Sequence, residues 1–285
     1  MIGFNLNMVV RHFNEELSAS FPAREAEQMM EILLEDLFGI DRKARLMQPD
    51  MRIDEWQHHQ LEEAVKALLQ GEPIQYVTGK AVFCDLCFKV DSSVLIPRPE
   101  TEEMVRMIIA EGGDPRRIWD IGTGSGCIAI SLAKAFGDAE VMACDVSLEA
   151  LETARENALM NDTTVTFVEG DVLALDPDLF EGMVDLLVSN PPYVMDKERE
   201  AMQTQVLDYE PHEALFVPDD DPLLYYRALL QLANDHLASQ GVAWFEINEA
   251  MGDSMLNLCH EMGFLDARII DDYAGKPRFC RIVMR

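Results

Sequence analysis

Apolar residues over roughly the first quarter of the chain recur at helical spacing. Between residues 20 and 39, Met29, Ile32, Leu33 and Leu37 form one stripe; Ser20 is placed to cap it, Pro22 suits a first turn and Gly39 stops the run. Between Asp54, which opens a second helix, and Gly71, which closes it, Leu61, Ala64, Val65, Leu68 and Leu69 share a face. From Ile74 to Val94 the pattern turns to Val, Thr and Phe with alternation, which predicts a short hairpin. Strands and helices then take turns: strand 118–121, a helix from Ser125, strand 140–144, a helix from Ser147, strands 164–168 and 184–189, a helix, and strand 242–247. A further helix and two short apolar runs, near Arg268 and Phe279, end the sequence. Alternating βα units predict a mainly parallel sheet with helices on both faces, and the last two runs an antiparallel edge. The expected division is a small helical domain at 1–73, a β-hairpin linker at 74–96 and an α/β domain at 97–285.

With 285 residues, 48% of them hydrophobic, the chain can bury a sizeable core. Its 23 Lys and Arg stand against 52 Asp and Glu, a net charge of −29 that repels phosphate backbones and argues against a general nucleic-acid binder. No apolar run reaches the roughly 18 residues of a membrane span, and the start has neither a basic front nor a cleavage pattern, so we expect a cytoplasmic protein with no membrane contact. Of six cysteines, Cys84 and Cys87 have the spacing of a redox or zinc pair. Their flanks alternate like a strand and no second pair completes four ligands, so they read as buried or half-buried structural residues, with no metal expected. The adjacent His58 and His59 face different ways on a helix and read as a solvated or packed pair.

The chemistry gathers after the strands. Asp120-Ile121-Gly122-Thr123-Gly124-Ser125-Gly126 lies where a strand turns into a helix, and glycines there let backbone N–H groups approach a ligand. The dinucleotide fingerprint would need glycine where this chain has Cys127; D-x-G-x-G-x-G instead resembles the first motif of S-adenosylmethionine-dependent methyltransferases. Asp120 can meet the ammonium of the methionine moiety, directly or through water. Asp145, after the next strand, can accept both ribose hydroxyls. Asp171, after the third, can reach the adenine amine, with Val172 lining the ring. Taken singly, each acid has a helix cap or turn as its alternative, Asp145 before Ser147 most plainly.

Asn190-Pro191-Pro192-Tyr193 follows the next strand at the same edge. An amide or exocyclic amine nitrogen is a poor nucleophile because its lone pair is delocalised, and no side chain is basic enough at neutral pH to deprotonate it. Geometry must do the work: the Asn190 oxygen and the Pro191 carbonyl each accept one N–H and aim the nitrogen at a methyl group about 3–3.5 Å away. Consecutive prolines stiffen the turn and bring no competing donors. Tyr193 offers a π face to the planar group.

These motifs, with Glu72-Pro73-Ile74-Gln75-Tyr76, Thr78-Gly79 and the run from Leu95 to Glu102, resemble the protein-(glutamine-N5) methyltransferases of peptide chain release factors, the HemK or PrmC type. The resemblance implies a Rossmann-like seven-stranded methyltransferase domain behind a helical domain that binds the release factor. It implies methylation of the glutamine in the Gly-Gly-Gln loop of class 1 release factors. Gly122, Thr123, Gly124 and Asp145 would bind the cofactor, Asn190 both cofactor and substrate, and Pro191, Pro192 and Tyr193 the glutamine, with Pro97 to Thr101 bordering the pocket. Val172 stands where some relatives carry an aromatic. Arg98 and Glu100 have an alternative role in pairing with each other or at the domain interface. We expect a monomer without direct nucleic-acid contact. Ribosomal protein L3 as substrate, DNA adenine methylation, which the charge opposes, and a non-catalytic cofactor sensor are the other readings.

Overall fold

In the computed structural model, which describes residues 3–174 and 179–285, the chain forms two compact units, Met1–Lys80 and Ala81–Arg285. The first is helical: Leu6–Leu17, Ala23–Phe38, Arg42–Met47, Glu55–Leu69 and Ile74–Thr78, with Phe4–Asn5 paired antiparallel to Arg52–Ile53. Phe13, Leu17, Met30, Leu33, Leu61 and Leu68 are among its buried core. Asp54 opens Glu55–Leu69 through a reciprocal capping box with Gln57. Ser20 does not cap Ala23–Phe38: Pro22 occupies that position without a side-chain bond, and Gly39 ends the helix in the left-handed conformation. Leu69 falls off the buried stripe and is 40% exposed. His58 stacks on Phe4 with ring centroids 4.3 Å apart, while His59 lies 3.8 Å from Glu62.

The expected hairpin begins later than its alternation suggests. Residues Ile74–Thr78 are helical because Pro73 sets the entry and Gly79, at φ 69°, closes the turn, overriding the strand preference of Tyr76 and Val77. The two strands are Lys80–Phe83 and Leu86–Lys89. The turn between them is Cys84-Asp85, both at positive φ (49° and 62°), as a two-residue turn that matches strand twist requires. Cys84 is therefore in the turn and half-buried, as expected, whereas Cys87, on the second strand, is exposed, which corrects its reading as buried or half-buried. Phe83 and Phe88 meet edge to face beneath the turn, centroids 6.1 Å apart.

The second unit holds a seven-stranded sheet: β1 Arg117–Ile121, β2 Glu140–Asp145, β3 Thr166–Glu169, β4 Val184–Ser189, β5 Leu237–Glu246, β6 Ala267–Asp271 and β7 Pro277–Val283. Their order is β3-β2-β1-β4-β5-β7-β6, parallel up to β5, with β7 antiparallel to both β5 and β6. Side chains alternate between two cores. Trp119, Leu187, Ala243 and Phe245 join the core under helices Leu224–His236 and Gly252–Glu261; Ile118, Leu186, Val188 and Trp244 join the one under Pro99–Glu111 and Cys127–Ala135. Burial on both faces is why these strands read as continuous apolar runs. Strand order reverses direction between β1 and β4, so the crevice opens at their carboxyl ends, where Ser189 Oγ donates to the Ile121 carbonyl at 2.6 Å.

Asn157, on helix Leu148–Met160, is fully buried and joins three parts of this unit. Its Oδ1 accepts from Lys89 N at 2.6 Å, and its Nδ2 donates to the carbonyls of Lys89 and Ser125, each at 2.9 Å. Asn157→Ala strands these groups and is expected to cost about 3 kcal/mol, read from the urea midpoint of the full chain; a loss under about 1 kcal/mol would show the bridge to be dispensable.

Candidate active site

A cavity of roughly 540 Å³ opens at the carboxyl edge of the sheet, within the size range of ligand pockets. Its walls include Ile121, Gly122, Thr123 and Gly124 after β1, Asp145 at the end of β2, and Asp171 and Val172 after β3. Asn190, Pro191 and Pro192 after β4 complete that edge, and Pro97, Arg98 and Thr101 border it. Two of the expected residues stand behind the wall. Asp120 is fully buried and reaches the cavity only through Thr123, whose hydroxyl donates to its Oδ2 at 2.6 Å. Tyr193 turns away to donate its hydroxyl to Glu246 at 2.8 Å.

The loop after β1 is held by its backbone. Gly122 N and Thr123 N donate to the Cys144 carbonyl of β2, and Gly126 N to Thr123 O. The following helix starts at Cys127, with Gly126 at φ 80° as its cap, two residues later than Ser125 suggests. A Cβ on Gly126 would lie 2.9 Å from Ile130 and 3.1 Å from Ala154, whereas one on Gly124, at φ 52°, would meet nothing within 4 Å. Gly126 therefore serves packing, and Gly124 keeps its approach to the cavity open.

Asp145 is not the helix cap; that position belongs to Ser147, whose side chain accepts from Ala150 N. The Asp145 carboxylate instead accepts Gly124 N on Oδ2 at 2.8 Å and Ser147 N on Oδ1 at 3.0 Å, leaving a lone pair on each oxygen for a pair of hydroxyls. Burial raises its pKa, against those backbone donors. Asp171 is exposed and turns one oxygen back to Leu173 N at 2.8 Å.

Asp120 accepts from Thr123 and from Ala129 N on one oxygen, while Oδ1 is buried without a partner. Burial pushes its carboxyl up to about 7, with the hydroxyl and amide donors lowering it and the Asp145 charge adding a smaller rise. An orphaned carboxylate oxygen behind Thr123, an open glycine cradle and a two-acceptor Asp145 suit a ligand that carries an ammonium and a ribose, and so fit S-adenosylmethionine.

On the opposite wall Asn190 Nδ2 donates to Thr101 Oγ1 at 3.0 Å, and Thr101 Oγ1 donates to Glu246 Oε2 at 2.6 Å. Glu246 ends β5 with 1% exposure; burial raises its pKa, while the Thr101 and Tyr193 hydroxyls and the Arg278 charge lower it. Arg98 pairs with neither Glu100 nor its own helix but with buried Glu210, at 2.6 Å, which also accepts from Ile96 N. That clasp holds the return segment bearing Pro211 and Phe216 over the cavity. Sequence reading passed over Glu246, Glu210 and Tyr225, a further wall residue. Two of them carried a signal: Glu246 is an acid at the end of an apolar strand, and Tyr225 is one of a tyrosine pair at a helix start.

Residues 74–215 match the Methyltransferase small domain family and residues 9–79 the PrmC N-terminal domain family. The release factor glutamine methyltransferase of Bacteroides thetaiotaomicron is 42% identical over 96% of this chain and 98% of its own, and that of Flavobacterium psychrophilum 41% over 96% and 97%. This chain belongs to the release factor glutamine methyltransferase family. Its cofactor is S-adenosylmethionine. The fold also matches the hMettl16 catalytic domain in complex with MAT2A 3′UTR hairpin 6, with a TM-score of 0.54 at 12% identity over 81% of this chain and 82% of that one. Among the described residues of this methyltransferase, no helix is long and apolar enough to cross a membrane.

Two measurements separate roles at the cofactor wall. Gly124→Ala should weaken S-adenosylmethionine binding about tenfold or more in calorimetry at a stability cost near 1 kcal/mol, whereas Gly126→Ala should show mainly a stability loss; equal affinities for Gly124→Ala and the parent would remove the cradle. Asp120 gives a pH signature. Its folded pKa lies above the unfolded value of 3.8, so the stability it contributes is fully present below that value and is lost as pH rises through about 7. Without cofactor, the parent Tm should therefore fall relative to Asp120→Asn between pH 5 and 8; parallel Tm curves would refute the shift.

Proposed function

We propose that this protein transfers the methyl group of S-adenosylmethionine to the side-chain amide nitrogen, N5, of the glutamine in the GGQ motif of class 1 peptide chain release factors. The observation that carries the reading is Asn190-Pro191-Pro192 on the wall facing the glycine loop, with Asn190 Nδ2 engaged by Thr101 so that its oxygen is left to accept. The relatives' name, release factor glutamine methyltransferase, supports the same substrate.

Bound in the cavity, S-adenosylmethionine supplies an electrophilic methyl group on a sulfonium. Ile121, Gly122, Thr123 and Gly124 would line its approach, with Asp120 behind Thr123 as the acid on the side of its ammonium. Asp145 would accept the ribose hydroxyls, and Asp171 and Val172 would border the adenine. Asn190 Oδ1 and the Pro191 carbonyl accept the two glutamine N–H groups and point the nitrogen at the methyl carbon. Pro192 keeps the turn stiff, and Tyr193, behind the wall, donates its hydroxyl to Glu246. Transfer so aligned would form the N–C bond as the C–S bond breaks, with the surplus proton on nitrogen leaving to water, so no strong base would be needed.

The helical domain at 1–73 recognises the release factor, 74–96 links it to the methyltransferase domain at 97–285, and the enzyme works as a cytoplasmic monomer. A net charge of −29 supports a protein substrate met without direct contact to nucleic acid.

Labelled S-adenosylmethionine offered with purified release factor, ribosomal protein L3 and adenine-containing DNA should place label on the GGQ glutamine alone, located by mass spectrometry; label on L3 or DNA would replace the substrate. Asn190→Ala should leave cofactor affinity within about threefold and remove turnover, and parental activity in that variant would sink the mechanism.

A further inference from the structure

An asparagine amide is symmetric in shape and opposite in polarity at its two ends, so accepting a substrate N–H demands that something hold the oxygen outward. On its own, Asn190 could present Nδ2 instead and set a donor against a donor. The neighbouring groups remove that freedom one bond at a time. Glu246 accepts on both oxygens, taking the hydroxyls of Thr101 at 2.6 Å and Tyr193 at 2.8 Å. The single Thr101 hydrogen is thereby committed to Glu246, so towards Asn190 the hydroxyl oxygen can only accept. The Asn190 group 3.0 Å from it must then be Nδ2, and Oδ1 is the end left for substrate. Thr101 and Glu246 are almost wholly buried, so water does not compete for these bonds. The backbone of the carboxylate is itself anchored: Tyr226 Oη donates to the Glu246 carbonyl at 2.9 Å.

We propose that Thr101 and Glu246 are positioning residues that lock the Asn190 side chain with its oxygen towards the substrate amide. The proposal rests on the glutamine reading above and adds to it the device that sets the polarity of the acceptor. Neither residue touches the reacting atoms; both act through Asn190.

The test is steady-state and single-turnover kinetics of Thr101→Val and Thr101→Ser in the full chain, with release factor as substrate and S-adenosylmethionine affinity and Tm measured alongside. Valine keeps the shape and removes the hydroxyl, so kcat should fall about 10- to 100-fold while the KM for release factor and the cofactor Kd stay within about threefold. Serine keeps the hydroxyl and should return kcat to within about threefold of the parent. A Thr101→Val enzyme with parental kcat, or a serine variant as slow as the valine one, overturns the proposal. Should Thr101→Val fail to fold, Thr101→Ala removes the same hydroxyl with less bulk and carries the same expectation. Parental enzyme without activity on the release factor would count against the glutamine reading, so the parent arm keeps the two failures apart.

Discussion

Burying a carboxylate, wholly or in part, in a protein that already carries a net charge of −29 is costly unless donors meet it, and this site is organised around three such groups. Asp120, Asp145 and Glu246 all lie at carboxyl ends of parallel strands, and each dictates the course of a different loop. Asp120 takes a hydroxyl from Thr123 and an N–H from the following helix, which curls the glycine loop over it. Asp145 takes one N–H from that loop and another from the start of the next helix. Glu246 takes hydroxyls from Thr101, on an earlier helix, and from Tyr193, beyond the double proline. The walls of the cavity are largely the segments recruited to satisfy these acids.

Topology explains why those segments meet. In a parallel sheet the strand ends share one edge, and the reversal of strand order between β1 and β4 parts the loops so that a ligand can enter. The glycine loop and Asp145 lie to one side of the switch and Glu246 to the other, with the double proline at the switch itself. The two walls of the cavity then arise from loops at one edge of the sheet.

Most of this architecture could be read from the chain because its signals are local. Continuous apolar runs at 118–121 and 184–189 announced strands buried on both faces, and D-x-G-x-G-x-G and Asn190-Pro191-Pro192-Tyr193 fell at their ends. What escaped was non-local. Thr101 and Glu246 are 145 positions apart, and Arg98 and Glu210 are 112 apart; no periodicity links such pairs. The local errors also have physical causes. The β-branched and aromatic residues before Gly79 suggested strand, but proline and glycine at the two ends of the segment imposed a helical turn. The alternation from Ala81 to Val90 concealed a two-residue turn that uses cysteine and aspartate where glycine or asparagine would have announced it.

The arrangement also keeps full negative charge off the reacting atoms. A carboxylate touching them would favour positive charge on the cofactor before transfer at least as much as during it, and interactions equal in both states lower no barrier. The groups this reading aims at the glutamine nitrogen are accordingly neutral: the Asn190 oxygen and the Pro191 carbonyl. Glu246 stands one hydroxyl further back, where its charge fixes the orientation of Thr101 and, through it, of Asn190. Asp120 is likewise set behind Thr123. Placing Glu246 and Asp120 one hydrogen bond behind a neutral contact lets the site borrow the directional force of a buried acid without lowering the ground state it must leave.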